Sequence, residues 1–399
     1  MDIATTDPIQ PRSRPRHRRD DIAKNAAELF SERGFHAVRM EDIAKASGVT
    51  ARALYRHYDS KQALLSHVVL QDQQRVIETL TELAAQPAHA RRLDTSLTAL
   101  TNAALETRRL SLLWQREARH LDAADFDRVR RQTRWMANQF RELLISPERD
   151  DLSDAVADIR SWVVVSIVSG PGLYDSALPQ RRLAQELVGA GLQVIRGPAA
   201  AQPDEAVTGE HRRSPTSRRD QLIYAAAGEF RRNGFAGVSI DDIGDQIGVV
   251  GPALYRYFDN KADILVASVN RLHEWLTLEM TRALRSAPSD ETVINELVAG
   301  YVRIALEATD LLAVSLTERL FLPVIAREHC DRMETEHLAE WQRWLSVARP
   351  ELAPSQAATL VKTAKTIVDD CVRIPHLRQY KIFATELCGD ALRALGVPG

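Results

Sequence analysis

The sequence predicts an all-α protein built from two tandem units, and three observations carry that prediction. Leucine and alanine are abundant while aromatic residues make up only 6% of the chain, a balance that favours helix. Apolar residues recur at three- and four-residue spacing through long stretches of the 399 positions. A stretch of about 50 residues returns 200 positions later without a gap, with about 21 identities between 18–69 and 218–269. A repeat of that length decides architecture before local propensity does.

In chain order, residues 1–16 carry Pro8, Pro11 and Pro15 and read as a disordered basic arm. Arg12, Arg14, Arg16, Arg18 and Arg19 suit it to following phosphates or entering a minor groove; the plainer reading is a solvated tail with non-specific attraction to DNA. A first head is expected over 17–62. Its opening helix, from about Arg18 to Arg33, has Ile22, Ala26, Leu29 and Phe30 as its buried stripe and ends at Gly34. Phe35 and Val38 act as wedges. The next short helix, Met40 to Ser47, turns Ile43 and Ala44 inward and Glu41, Asp42 and Lys45 outward. Gly48 closes it in a left-handed conformation, and Thr50 caps the helix that follows by accepting from an orphan backbone N–H. That helix starts at Ala51 and buries Leu54. It leaves Thr50, Arg52, Tyr55, Arg56 and His57 free to face something polar. Two short helices around a glycine turn, the second with a polar outer face, form the helix-turn-helix plan, whose second helix enters the DNA major groove. Asp59 is placed to cap a fourth helix. Lys61 in its first turn opposes the helix dipole unless a phosphate lies there.

A helical body is expected over 63–196, with helices near 61–85, 94–120, 124–145, 152–174 and 179–196, punctuated by Pro147, the Gly170–Gly172 cluster and Pro179. Residues 197–216 have linker composition. A second head follows over 217–262, opening on Ser217 as a cap and Ile223, Ala227 and Phe230 as its stripe. A second body occupies 263–399, with helices near 262–285, 290–308, 310–322, 325–347, 354–373 and 384–395. The segment around 111–119 has a loose counterpart at 313–320, which extends the duplication from the heads to whole units.

At the repeated stretch the chain resembles the TetR family of bacterial transcriptional regulators. Copy one carries the family's run through Phe30, Gly34, Phe35, Asp42, Ile43, Ala44, Gly48, Val49, Leu54, Tyr55, Tyr58 and Lys61. Copy two carries it at the same positions moved by 200, with Gly244 where alanine is usual. The resemblance implies DNA contacts from Thr50, Ala51, Arg52, Tyr55, Arg56, His57 and Lys61, and from Val250, Gly251, Tyr255, Arg256, Tyr257 and Lys261, with both lysines on phosphate. It further implies pairing of the last two helices of each unit into a four-helix interface. The unusually apolar 161–170 and 182–195 fit that use. A small-molecule effector, of unknown identity, is then expected in a pocket between the middle helices and the long fourth helix. Trp114, His120, Trp135, Trp162 and Tyr174 are candidate lining residues in the first half, and Phe321 and Trp341 in the second. Ordinary core packing is the rival reading of each.

In copy one Arg52 is the best base reader, since guanidinium pairs bidentately with guanine. In copy two Val250, Gly251 and Pro252 replace Thr50, Ala51 and Arg52, so the heads should read different half-sites. The expected function is a ligand-responsive regulator, most simply a repressor, on double-stranded DNA with an imperfect inverted repeat. One chain would fold as an intramolecular pseudodimer; a homodimer with four heads is the alternative. The rival classes are an architectural DNA binder without effector control and a helical interaction module with degenerate heads. Net charge −2 confines any nucleic-acid footprint to local patches. The catalytic motifs of hydrolases, nucleotide enzymes and zinc proteases are missing, so no enzyme, cofactor or metal is expected. No apolar run is long enough to span a membrane. The polar N-terminus and the odd set Cys330, Cys371 and Cys388 fit a reducing cytoplasm.

Overall fold

A computed structural model describes residues 15–106, 113, 117–201, 215–249 and 251–398. Most of the expected basic arm and linker, together with Trp114 and Val250, lie outside the described residues, as do the side chains of Gly251 and Pro252. Among the described residues every regular element is helical.

The first head comprises α1 (Pro15–Arg33), α2 (Met40–Ala46) and α3 (Ala51–Tyr55). Its helix starts three residues ahead of the expected Arg18, and proline is well tolerated in a first helical turn. Ile22, Phe30, Val38, Ile43 and Leu54 converge in one buried cluster with Leu64 and Leu65 of α4 (Lys61–Ala85), so the head is seated on the helix that follows it. Gly34 and Gly48 take φ of +79° and +63°, and Gly234 and Gly248 take +73° and +65°. These chain reversals lie where a side chain would be strained, which is why glycine recurs in both copies. One cap differs from expectation. Ser60, not Asp59, caps α4, its hydroxyl accepting from Ala63 N at 3.0 Å, and Asn260 does the same for Asp263 N at 3.0 Å. The residue directly before the first helical one has the extended backbone that aims a short side chain at the third N–H, and Asp59 is one position too early.

The first body continues through α5 (Leu93–Glu106), α6 (Ala123–Phe140), α7 (Asp154–Ser169) and α8 (Gln180–Arg196), with α6 relaxing into a π turn at Arg141–Ile145. The second unit runs α9 (Arg218–Gly237), α10 (Ile240–Asp245), α11 (Gly251–Leu254), α12 (Lys261–Ser286), α13 (Val293–Glu307), α14 (Thr309–Thr317), α15 (Val324–Ala348), α16 (Pro354–Cys371) and α17 (Phe383–Leu395). Gly244 is what lets α11 lie close on α10. A Cβ there would strike Val249 O and Leu254 Cδ1, whereas the buried Ala44 is accommodated in copy one. The register of 200 persists into the bodies. Arg149 pairs with Asp151 and bonds Arg196 O at 3.0 Å; Arg349 pairs with Glu351 and bonds Leu395 O at 2.9 Å.

The two units meet where α7 and α8 pack on α16 and α17. α7 is buried around nearly its whole circumference, the state expected of a helix that is apolar beyond one stripe. At the centre of the seam Arg160 is wholly buried. Its Nε donates to Glu386 Oε1 at 2.8 Å, and its Nη atoms donate to the carbonyls of Ile195, Gly197 and Pro198 at 3.1, 2.9 and 2.7 Å. Glu386 also accepts from Arg393 at 2.6 Å and from Ala200 N at 2.7 Å. Burial pushes the neighbouring Asp390 carboxyl up to about 7 against the pull of Arg393. The chain leaving the first unit is thus bolted to the interface at its first residues. Cys330 and Cys371 are buried and Cys388 half-buried, and burial raises all three thiols, so they behave as small apolar side chains.

Candidate functional site

The outer face of each head carries the side chains expected to meet DNA. Thr50 caps α3 by accepting from Ala53 N at 3.2 Å. Arg52, Tyr55 and Arg56 are exposed and His57 is half-buried, while Leu54 and Tyr58 hold the helix to the core. In copy two Tyr255, Arg256 and Tyr257 are exposed over buried Leu254 and Phe258. Tyr55 and Tyr255 keep 47% and 57% of their surface, too much for residues whose task is packing.

Lys61 and Lys261 do something the sequence reading did not foresee. Instead of extending from the helix start, each ammonium folds back under the head. Lys61 donates to Phe35 O at 2.8 Å and Val38 O at 2.9 Å, and Lys261 to Phe235 O at 2.7 Å and Val238 O at 2.6 Å. Each also sits over a phenylalanine ring, at 4.2 Å and 4.4 Å from its centroid, and burial lowers both ammonium groups from their ordinary range. The carbonyls of the wedge segment leave at most one N–H per lysine for a phosphate.

A carboxylate from the body holds each wedge from the other side. Phe35 N donates to Glu117 at 3.3 Å, and Phe235 N donates to Glu318 at 3.0 Å. His120 stacks on Phe35 and Phe321 stacks on Phe235, both with centroids 5.2 Å apart. Glu318 also accepts from Thr317 and from Arg119 of the opposite unit. Neither glutamate was picked out from the sequence. The signal was there in the loose match of 111–119 with 313–320, which pairs the two glutamates and sets His120 against Phe321.

His120 is pressed down to about 3 by burial, with Arg119, His36 and Lys61 adding repulsion, and His36 is lowered mainly by burial. An imidazole lowered below its ordinary 6.5 gives stability that is complete above that value and lost as pH falls toward 3, because the unfolded chain takes up the proton first. His120→Phe, which copies the Phe321 arrangement, should make the decline in urea midpoint between about pH 7.5 and 5 shallower. An unchanged slope would show that the imidazole is not what titrates.

Behind the first head lies a cavity of about 950 Å³, bounded by α4, α6 and α7 and by residues of the second unit, and partly open to solvent. Trp135 and Trp162 line it. The other expected lining residues that are described lie elsewhere. His120 and Phe321 are spent on the wedge phenylalanines, and Tyr174 crosses the seam to Thr363 at 2.9 Å. Trp341 is 1% exposed in the core of the second bundle, edge-on to Tyr301. What the sequence reading missed is the basic wall formed by Arg130, Arg131 and Arg134, which belongs to a run resembling any solvated helix face. Among the described residues no group of three or more His, Cys, Asp or Glu could hold a metal, and no helix is long and apolar enough to cross a membrane.

Two helix-turn-helix heads on one polypeptide, each seated on the helix that follows it, define a tandem helix-turn-helix protein. The family model for bacterial regulatory proteins of the tetR family matches residues 22–68 and again 222–267, so both heads carry that family's DNA-binding segment, in tandem. The HTH-type transcriptional regulator UidR of Escherichia coli (strain K12) is 38% identical over 76 residues, 19% of this chain and 38% of that protein. The HTH-type transcriptional repressor KstR2 of Rhodococcus jostii (strain RHA1) is 29% identical over 107 residues, 27% of this chain and 52% of that one. The chain therefore spans about two-fifths to one-half of these relatives' length. Among solved structures, the TetR family transcriptional regulator PfmR from Thermus thermophilus is 17% identical with a TM-score of 0.38, covering 43% of this chain and 97% of that one. AibR in complex with isovaleryl coenzyme A and operator DNA is 18% identical with a TM-score of 0.37, covering 43% and 96%.

Proposed function

We propose that the protein is a DNA-binding transcriptional repressor that places two unequal heads on an imperfect inverted repeat, one chain forming one pseudodimer, with a small molecule controlling the spacing. The observation that carries this reading is the seam: α7 and α8 of one unit pack on α16 and α17 of the other, so one folded chain carries both heads. Matches to proteins named as a repressor and as a negative regulator favour repression. In the first head Arg52 is the base reader. Tyr55, Arg56 and His57 attend to the backbone, with Tyr255, Arg256 and Tyr257 doing so in the second. Lys61 and Lys261 serve chiefly by fixing the wedge under each recognition helix and offer phosphate their remaining N–H.

The test is selection of duplex fragments at physiological salt, followed by gel-shift on the selected site and its half-site variants. Arg52→Ala should lose about 1–3 kcal/mol of binding at one half-site and leave the other unchanged. Equal loss at both half-sites would sink the unequal-heads reading. A uniform, steeply salt-dependent affinity for every duplex would favour an architectural role instead.

A further inference from the structure

The two bodies share a plan, but the cavity of about 950 Å³ lies in the first. Two positions on the wall of the large cavity, Gln73 and Val165, have His273 and Lys365 at the places 200 residues on. In the second body those groups close in with Glu334, Tyr301 and Asp369. Lys365 Nζ lies 2.7 Å from Asp369 Oδ2, and the Tyr301 hydroxyl donates to Asp369 Oδ1 at 2.5 Å. Only about 110 Å³ remains there, against about 950 Å³ in the first body. The larger volume suits one drug-sized organic molecule and the smaller does not.

The hollow body is also the basic one. Arg130 and Arg131 face the cavity and make no ion pair among the described residues, and Arg134 turns to the His376 ring rather than to a carboxylate. Deeper in, Trp162 Nε1 and Gln73 Oε1 are buried without a hydrogen-bond partner among the described residues, and Gln73 as a whole is 7% exposed. A buried donor and acceptor left unmade are costly unless something fills the space. Phe126, Trp135 and Phe140, on the same helix as the three arginines, add apolar surface to the lining. Arg119 lines the same cavity. It pairs with Glu318, the carboxylate that holds the second head at Phe235 N, and its own Nε is buried without a described partner.

We propose that this cavity binds one amphipathic organic anion per chain, its apolar body against the aromatic wall and its acid group on the arginines, and that Arg119 relays the anion's charge to the second head. An anion within reach of Arg119 competes with Glu318 for the guanidinium and loosens the hold on Phe235. The binding claim stands on the cavity alone; the relay gains its regulatory meaning from the proposed repressor function.

Two dyes with one skeleton separate the claims. Anilinonaphthalene sulfonate is an aromatic anion, and N-phenyl-1-naphthylamine is the same body without the sulfonate. Titrated into the full chain and followed by tryptophan quenching, the sulfonate should bind once per chain and about tenfold or more tighter than the neutral dye, as a charge-assisted hydrogen bond requires. R130Q/R131Q/R134Q should weaken the sulfonate by about tenfold and move the neutral dye less than about twofold. Val165→Trp, which fills the chamber, should remove both dyes. Two or more equivalent sites, equal affinity for the two dyes, or indifference to both variants would overturn the binding claim. For the relay, sulfonate saturation should speed amide exchange at Phe235 about threefold or more in the parent chain, with no further change in Arg119→Gln. Unchanged exchange in the saturated parent would overturn it. None of these measurements uses DNA, so a failed operator search leaves their outcome intact.

Discussion

Arg160→Ala should be the most damaging single change in the molecule, lowering stability by about 3–5 kcal/mol, the usual loss when one partner of a buried ion pair is removed. The guanidinium is fully buried and makes four hydrogen bonds, one to Glu386 across the seam and three to carbonyls at the end of α8. Deleting it strands those carbonyls in a site too tight for ready solvation. Urea denaturation followed by circular dichroism is the direct check, and the earliest transition should move to lower urea. R160M/E386Q, which withdraws the charge while keeping an acceptor for Ala200 N, should recover part of the loss, so that the two sites couple in a double-mutant cycle. A loss below about 1 kcal/mol for Arg160→Ala would mean that apolar packing alone joins the units.

Glu318→Ala should cost about 3 kcal/mol and, unlike the seam variant, do so locally. The carboxylate has no exposed surface and satisfies three donors at once: Phe235 N, the Thr317 hydroxyl and the Arg119 guanidinium from the other unit. Without it the second wedge loses its tether on the body side and keeps only Lys261 on the other. Amide exchange across 234–248 should accelerate while 34–48 stays near its parent rate, since the first wedge is held by Glu117. Parallel acceleration in both heads would point to general loosening instead of a dedicated hold.

The heads were legible in the sequence because each of their constraints is local. A turn that demands positive φ leaves a glycine, a cap leaves a hydroxyl or amide, and an inward face leaves an apolar stripe, and all recur at an interval of 200. Most body helices began within a few residues of the expected positions because proline and glycine punctuate them, but those expected to reach 174 and 322 stop at Ser169 and Thr317, and the one expected over 94–120 is described over Leu93–Glu106. Long polar side chains were not. Lys61 sits where a phosphate ligand should, but four methylenes let its ammonium reach back to Phe35 O, and no local pattern records that choice. The cavity was illegible for a related reason. Tryptophan and tyrosine were picked by residue type, yet a void is decided by what is small or turned away. Val165 lines the cavity 200 positions before Lys365, and a short side chain on a wall looks like nothing in a list of aromatics.

The seam also bears on inheritance. In a protein assembled from two copies of one polypeptide, each substitution is made twice, and a side chain that improves one wall is forced on its twin. Here Arg160 clasps Glu386 with no obligation to be Glu386's counterpart as well, and the segment leaving Ile195 is fastened before it can wander to another molecule. The two units can differ in task while staying matched in frame, one with a chamber and the other with that space filled.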